Sequence, residues 1–390
     1  MMKKSFLSAF LIIAGVMASF ADGKNGFVIP QEKFVDTLDI DILGWQITVP
    51  VEIGGHTFHF LFDTGSTNTF LPSANFPGVT SKEEKATTTG LYGNVTNQAL
   101  NISEMQIGSL KFNNVHASIY KVPLIDGILG YDLLQAGLIA KFMIKDKKII
   151  LTNDPSIFKN EKGKHISFYK GSEKPLFFSE PIKGFKTPTL LDTGNPEAFF
   201  LSMDYLRYYA SKSNKITKEI KRQVVWYNYD NIWEYAKKYI EPEYFFKFDN
   251  IKVEGLNFHQ VAGHTTNAPF SLLGTRLLCE FDFIVDAEKK EVIFLTDQKD
   301  FNPSTDGVQF RSAFIPNDTK SYISCLNPDC KLAKLGVLPG ATIDEVDGIQ
   351  LDGDDKKLLT KLSLAKKLHR VKLTNPDGKV IEGDSISFDY

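Results

Sequence analysis

The chain has 390 residues, which is too long for one small hydrophobic core and predicts two or three domains. Its formal net charge is −2 and its 45 lysines and arginines are spread along the sequence, which excludes the basic stripe of a nucleic-acid-binding protein. Phenylalanine is abundant, at 31 residues, and many of these lie in short alternating runs that favour β structure.

The first 21 residues have the pattern of a signal peptide. Lys3 and Lys4 precede an apolar run from Phe6 to Met17, and small residues follow at positions 18, 19 and 21. The apolar run is short for a transmembrane helix, so we expect an exported protein that is periplasmic or secreted. An uncleaved membrane anchor is the alternative.

The rest of the first 298 residues contains an internal repeat. "FLFDTGSTNTFLP" (60–72) has a counterpart in "TLLDTGNPEAFFLS" (189–202), and the segment 128–154 has one in 272–298. The two later segments each run from an apolar-apolar-Gly triplet through a Leu-Leu pair to two strands joined by a Lys-rich turn. Because these features recur in the same order, the sequence predicts two equivalent lobes.

In chain order, a hairpin over 47–62 leads into the first acid, Asp63. The segment 202–228 predicts a helix in the second lobe, with Ser202 as its N-cap. The remaining parts of both lobes are predicted to be short strands separated by turns.

The two repeats each carry one acid at the end of an apolar strand. If the repeats pack as pseudo-symmetric halves, Asp63 and Asp192 meet at the axis. Two carboxyl groups so close share one proton and titrate as a unit. The ionised partner can accept a proton from water while the protonated partner donates to a carbonyl oxygen. That is general acid–base hydrolysis of an amide, which requires no metal and no cofactor.

Four neighbouring residues have physical roles in this arrangement. Gly65 and Gly194 permit a tight turn and a close approach to the opposite lobe. Thr64 and Thr193 can hydrogen-bond across the axis and fix the carboxyl groups. The apolar-apolar-Gly triplets, ending at Gly130 and Gly274, would let a strand pass close behind each turn. These four residues and two strands are therefore expected to support the acids.

The two motifs Asp63-Thr64-Gly65-Ser66 and Asp192-Thr193-Gly194, each followed by an apolar-apolar-Gly triplet, resemble the aspartic proteases of the pepsin and retropepsin kind. The resemblance covers about residues 40–298, and the two copies look like a fused, single-chain version of the retropepsin dimer. It implies a mainly β fold of two pseudo-symmetric lobes, aspartic endopeptidase activity on a peptide or protein, and a monomer. It also implies two catalytic acids and a supporting set: Asp63 and Asp192; Thr64, Gly65, Ser66, Thr193, Gly194 and Asn195.

Two features differ from, or extend, that pattern. The second turn has Asn195 and Pro196 where the family often has a small hydroxyl residue, although Asn195 can still hydrogen-bond the carboxyl group of Asp192. The segment 87–98 resembles the family's flap hairpin, which implies substrate contacts by Tyr92 and Gly93. A plain exposed hairpin is the alternative for that segment.

The resemblance also implies a second flap between Asp192 and Gly274. The segment 224–235 fits it as an aromatic hairpin, with packing on the helices as the alternative.

The chain divides into a signal peptide (1–21), lobe 1 (22–154), lobe 2 (155–298), and a linker with a small α/β domain (299–390). Within the last unit, "LAKLGVLPGATIDEVDGIQL" (332–351) resembles a PDZ domain, which implies a chain-end ligand. A packing domain without a ligand is the alternative. A helix over 358–368 and a hairpin turn at 375–378 are also expected, and Cys325 and Cys330 could pair.

Two other interpretations remain open. A single Asp in a strand–turn is usually a turn former whose carboxylate accepts backbone N–H groups. A protease fold can also lack activity and serve as a peptide-binding scaffold with its PDZ-like module. The histidines are scattered, and His56 and His59 cannot face the same side of one strand, so no metal is expected.

Overall fold

The computed structural model describes residues 26–29, 32–43, 45–90, 93–119, 125–212, 221–223, 243–303, 310–314, 321–326, 331–338, 340–351 and 369–386. The predicted signal peptide lies outside these ranges. Short strands account for most of the described chain, as the Phe-rich alternating runs predicted. Within the described ranges, no helix has the length and apolar character needed to cross a bilayer.

The strands fall into three groups along the chain. Those of the first group are β1 (Val35–Asp39), β2 (Asp41–Leu43), β3 (Gln46–Ile53), β4 (His56–Asp63), β5 (Thr69–Leu71), β6 (Val79–Gly90), β7 (Gly93–Ile107), β8 (Leu110–Ile119), β9 (Gly127–Gly130), β10 (Ile139–Met143) and β11 (Lys148–Thr152). Those of the second are β12 (Lys164–Ser167), β13 (Leu176–Ile182), β14 (Phe185–Leu191), β15 (Phe199–Ser202), β16 (Lys221–Gln223), β17 (Glu243–Val253), β18 (Leu256–Thr266), β19 (Ser271–Leu273), β20 (Asp282–Asp286), β21 (Glu291–Leu295) and β22 (Asp300–Phe301).

The third group is C-terminal, and the described helices are short. The strands of this group are β23 (Phe310–Phe314), β24 (Ser321–Leu326), β25 (Thr342–Val346), β26 (Ile349–Gln350), β27 (His369–Thr374) and β28 (Val380–Ile386). The helices are α1 (Asp132–Gln135), α2 (Met203–Ala210), α3 (Thr275–Leu278) and α4 (Lys331–Lys334), with a 3₁₀ helix at Pro155–Phe158.

Burial along the strands follows their position in the sheets. In β8, Leu110 and Phe112 are buried while Lys111 and Asn113 are exposed, which is the alternation of a strand with one face on the core. All four residues of β9 are buried, as expected for a strand covered on both faces. The apolar-apolar-Gly triplet therefore forms an interior strand.

Each acidic turn is built on the same strand pairings. In the first sheet, β4 pairs in parallel with β9, β9 pairs antiparallel with β5, and β5 pairs in parallel with β8. In the second sheet, β14, β19, β15 and β18 repeat these pairings in the same order and directions. The complete orders are β2-β3-β4-β9-β5-β8-β7-β6 and β16-β17-β13-β14-β19-β15-β18-β22. The predicted mainly β fold is therefore confirmed, and the two sheets repeat one pattern of strand pairing around the two acids.

A third sheet contains strands from both halves of the repeat. Its order is β1-β11-β10-β20-β21-β12, so the two repeated hairpins, β10–β11 and β20–β21, meet in the middle. Where β10 pairs with β20, Phe142 stacks on Phe283 with ring centroids 4.5 Å apart. Phe62, next to the first acid, packs edge-on against Phe142 at 5.2 Å. One hydrophobic core therefore extends from the shared sheet to the acidic turn.

Two expectations for the second lobe needed correction. The expected helix over 202–228 begins at Met203 as α2, but residues 221–223 form strand β16 paired with β17, so the helix prediction is wrong there. Edge pairing with a neighbouring strand overrides local helix propensity in this segment. Ser202 occupies the N-cap position without a side-chain capping bond, because its hydroxyl donates to the carbonyl of Ala268 instead.

In the first lobe, the predicted hairpin over 47–62 is confirmed as β3–β4.

The C-terminal segment forms its own sheet and core. Strands β23, β24, β25, β27 and β28 are neighbours in that order, and β26 pairs with β25. Ile343, Val346, Val371 and Leu373 are buried in a cluster separate from the main core. The predicted turn at 375–378 joins β27 to β28, whereas the expected helix over 358–368 lies outside the described residues. The likeness to a PDZ domain stays a prediction.

Candidate active site

The two Asp-Thr-Gly turns face each other at the junction of the first two sheets. Asp63 ends β4 and Asp192 follows β14, and their side chains are hydrogen-bonded to each other. A methyl group built on Gly65 would lie 2.5 Å from Asp192 Oδ1, and one built on Gly194 would lie 2.3 Å from Asp63 Cγ. Each glycine is therefore required by the carboxyl group of the opposite turn, as the duplicated motif predicted.

Backbone N–H groups orient both carboxyl groups in the same way. Asp63 Oδ1 accepts from the N–H groups of Gly65 at 2.8 Å and Ser66 at 3.0 Å. Asp192 Oδ1 accepts from those of Gly194 at 3.0 Å and Asn195 at 3.2 Å. Hydrogen bonds to a carboxylate stabilise its charged form and hold its plane. The turns therefore present two fixed carboxyl groups to one another.

The two threonines link the turns across the axis. The N–H of Thr64 donates to Thr193 Oγ1 at 3.0 Å, and the N–H of Thr193 donates to Thr64 Oγ1 at 3.1 Å. Their hydroxyl groups donate to the opposite strands, Thr64 to the carbonyl of Leu191 at 2.7 Å and Thr193 to that of Phe62 at 2.5 Å. Because both threonines are fully buried, these bonds satisfy groups that water does not reach. The expected cross-axis contacts are present.

The environment raises the pKa of both acids. Burial is the largest cause for each, and the negative charge of Asp63 raises the pKa of Asp192 further, well above its usual range. Burial also raises the pKa of Asp63, although the N–H groups of Ser66 and Gly65 oppose this by stabilising its ionised form. The pair therefore holds one proton above the pH at which an ordinary carboxyl group would lose it.

The glycine strands pass directly behind the turns, as the triplets predicted. A methyl group on Gly130 would lie 2.3 Å from the carbonyl oxygen of Asn68, and one on Gly274 would lie 2.0 Å from that of Glu197. The residue after each glycine continues the symmetry, since the N–H groups of Tyr131 and Thr275 donate at 2.9 Å to the turn. No side chain larger than hydrogen fits at either glycine.

The turns differ at the position that follows the glycine. Ser66 Oγ donates to the carbonyl of Asn68 at 2.8 Å. Asn195 Oδ1 accepts from the N–H of Glu197 at 3.1 Å, while its buried Nδ2 has no hydrogen-bond partner among the described residues. The contact expected between Asn195 and Asp192 is made by the backbone N–H of Asn195 and not by its side chain.

Two side-chain contacts near the turns were not identified from the sequence. His264 Nε2 lies 2.7 Å from Glu197 Oε2, with side chains only 1% and 7% exposed, and the imidazole packs on Phe200 at 4.0 Å. Lys174 Nζ donates to the carbonyl of Gly65 at 3.1 Å across 109 positions of sequence. The position of Glu197, two residues after Asn195, was the sequence signal for the contact with His264. No local pattern marks Lys174.

The predicted flap is described in part. Strands β6 and β7 form a hairpin whose register ends with Gly90 opposite Gly93. Tyr92 lies outside the described residues, as does the aromatic hairpin expected over 224–235. The structure thus places Gly93 at the end of a hairpin on the edge of the first sheet.

A known protein family matches the part of the chain that contains the first acidic turn. The family of aspartyl proteases matches residues 49–133. That match spans the first acid and its glycine strand. No curated protein matches the chain. Among solved structures, the chain matches the crystal structure of aspartic proteinase from Irpex lacteus at 14% identity, covering 68% of this chain and 98% of that chain, with a TM-score of 0.42. The family match does not reach Asp192, so the role of the second acid is inferred from its contacts with the first turn.

Proposed function

We propose that the protein is an aspartic endopeptidase in which Asp63 and Asp192 activate one water molecule. The observation that carries this proposal is the direct hydrogen bond between the two carboxyl groups, at the centre of the cross-axis threonine network. A pair that exists only to form turns needs neither the contact nor the raised pKa. The family match to residues 49–133 supports the same chemistry at the first turn.

The proposed reaction uses one acid as base and the other as proton donor. The carboxylate of Asp63 removes a proton from water, whose oxygen attacks the peptide carbonyl carbon, while Asp192 protonates the carbonyl oxygen. Asp63 then returns its proton to the amide nitrogen, the C–N bond breaks, and the new carboxyl group returns a proton to Asp192. No covalent intermediate forms, and the pair ends with the one proton it had at the start.

The pH range of the activity follows from that single proton. Activity falls on the acidic side when both carboxyl groups are protonated and on the alkaline side when both are ionised. Because burial and Asp63 raise the pKa of Asp192 well above its usual range, the alkaline limb lies above that of an ordinary carboxyl group.

The substrate is proposed to be a peptide or protein segment that lies extended between the two lobes. Both acids belong to one chain, so the protein acts as a monomer. Specific activity should therefore be independent of dilution, unlike that of an obligate dimer. The signal-peptide pattern of residues 1–21 supports action in the periplasm or outside the cell.

A peptide-library digest with three variants tests the proposal. Wild-type protein should release new termini between acidic and neutral pH, whereas Asp63→Asn and Asp192→Asn should not. Asp146→Asn is the matched control, because that carboxylate is exposed in the β10–β11 turn. If wild type leaves the library intact across this range yet retains peptides, the chain is a silent protease fold that only binds them.

A further inference from the structure

The loop before β13 holds a lysine next to the acidic pair. Ser172 Oγ donates to the carbonyl of Lys174 at 2.9 Å, and the N–H of Lys174 donates back to Ser172 Oγ at 3.2 Å. The carbonyl of the next residue, Pro175, accepts from the N–H of Leu191 at 2.9 Å. Since Leu191 immediately precedes Asp192, the loop is fixed against the second acidic turn.

The side chain of this lysine reaches the first acidic turn. Its ammonium group donates to the carbonyl of Gly65, two residues after Asp63, at 3.1 Å. The positive charge of Lys174 interacts with both Asp63 and Asp192 and lowers the pKa of each. A cation from the second lobe is thus anchored at a backbone atom of the first lobe, beside the proton that the two acids share.

Other charged groups around the pair are engaged elsewhere. Glu173, in the same loop, is exposed and pairs with Lys290 at 2.5 Å. Asp132 accepts from the N–H and hydroxyl groups of Thr69, and Glu197 pairs with His264. Tyr131, behind the first turn, is buried and its phenol has a raised pKa, so it stays neutral. Within the described part of the chain, Lys174 is the cation whose charge lowers the pKa of both acids.

We propose that Lys174 is a positioning residue of the acidic pair, whose ammonium group sets the pH range over which the pair holds one proton. The inference depends on the proposed protease function. A positive charge within a few ångströms stabilises ionised carboxyl groups and opposes the effect of their burial. Its anchor on the carbonyl of Gly65 keeps that charge at a constant distance from the acids.

The lysine carries its charge throughout the acidic and neutral range. Burial lowers the pKa of Lys174 from 10.5 to about 8, while the charges of Asp63 and Asp192 raise it in part. The ammonium group is therefore present below about pH 8 and lost above it. Its influence on the pair covers the range in which an acid–base pair of carboxyl groups works.

Removing the positive charge of Lys174 should shift the acidic and alkaline limbs of the pH profile of kcat/KM. In Lys174→Met, both limbs should move to higher pH, by about one unit, because an adjacent cation lowers a carboxyl pKa by at least that amount. Lys174→Arg should keep both limbs near those of wild type, since arginine retains the charge. Lys170→Met, an exposed change in the same loop, is the matched control and should not shift either limb. A merely structural role would lower activity at every pH without moving the limbs.

The profile of Lys174→Met decides the inference once wild type is known to cleave. A profile that superimposes on that of wild type overturns it, provided thermal unfolding shows that the variant is folded. If wild type does not cleave peptides, or if Asp63→Asn cleaves them at the wild-type rate, the proposed function is overturned instead.

A second measurement requires neither enzymatic activity nor a variant of Lys174. ¹³C NMR titration of lysine Cε should show one lysine that loses its proton near pH 8, in contrast to the ordinary value of 10.5. In Asp63→Asn its midpoint should fall further, because one stabilising carboxylate is gone. If all lysines titrate near 10.5, or if the midpoint is unchanged in Asp63→Asn, the ammonium group does not interact with the pair.

Discussion

The α-carbon of Gly194 packs against the carboxyl group of Asp63, so closely that a methyl group there would lie 2.3 Å from Asp63 Cγ. Gly65 has the same relationship to Asp192. Neither glycine is among the described glycines with positive φ, so the backbone conformation does not require glycine at these positions. Glycine is required because the opposite carboxyl group leaves no room for a side chain. The glycine of each turn thus leaves space for the acid of the other.

Gly194→Ala should displace Asp63 and lower kcat by about 100-fold or more, since misplacing a catalytic group by about 1 Å has effects of that size. Gly184→Ala is the control. It has φ of +88° and nothing within 4 Å of an added methyl group, so it should lose about 1 kcal/mol of stability and retain activity. Steady-state kinetics and urea unfolding separate the two effects. Full activity in Gly194→Ala would contradict the close approach.

Thr193→Val should reduce the free energy of unfolding by about 3 kcal/mol. Valine removes the acceptor of the Thr64 N–H and the donor to the Phe62 carbonyl, and leaving a buried polar group unpaired costs about 1–3 kcal/mol. Thr193→Ser keeps the hydroxyl group and should remain close to wild type. Urea unfolding measures both variants, and equal stability of the valine and serine forms would argue against the cross-axis network.

Asp192→Asn should stabilise the fold at pH 7 but not near pH 4. The pKa of Asp192 is raised in the folded protein, so the folded state binds the proton more tightly than the unfolded state does. Wild-type stability therefore falls as pH rises from about 4 through the raised pKa, whereas asparagine cannot ionise. Thermal unfolding at both values tests this, with exposed Asp146→Asn as control. A variant no more stable than wild type at pH 7 would rule out the raised pKa.

Tyr131→Phe should increase the free energy of unfolding by about 1 kcal/mol, because the Tyr131 hydroxyl is buried with no hydrogen-bond partner in the described ranges. Tyr209→Phe provides a matched control. The hydroxyl of Tyr209 donates to the carbonyl of Lys186, so its removal should destabilise the protein by about 1 kcal/mol. Chemical denaturation compares the two. A loss of stability in Tyr131→Phe would show that its hydroxyl is satisfied in solution.

The sequence predicted the parts of this site that are local and repeated. Asp63 and Asp192 could be paired from the amino-acid sequence, because each lies in the same motif with the same glycine triplet downstream. Their threonines and glycines followed from the same symmetry. The repeated hairpins likewise predicted the strands that meet in the shared sheet.

The parts that were not predicted arise from contacts between distant segments. Lys174 meets Gly65 across 109 positions, and His264 meets Glu197 only because β18 pairs with β15. The lysine contact leaves no periodic or motif-like trace in the sequence, and the histidine contact is marked only by the position of Glu197, two residues after Asn195. Residues 221–223 were misassigned for a related reason, since their strand conformation comes from pairing with β17. Tertiary contacts, rather than local preferences, decide all three.

The most direct test of the central claim is kcat/KM of Asp63→Asn and Asp192→Asn on one peptide selected from the library, measured beside wild type and Asp146→Asn at the pH of maximal wild-type activity. If the two acids share a proton and activate water, each active-site variant should lose about 10³-fold or more, while Asp146→Asn retains wild-type activity. Cleavage by either active-site variant at the wild-type rate would contradict the account.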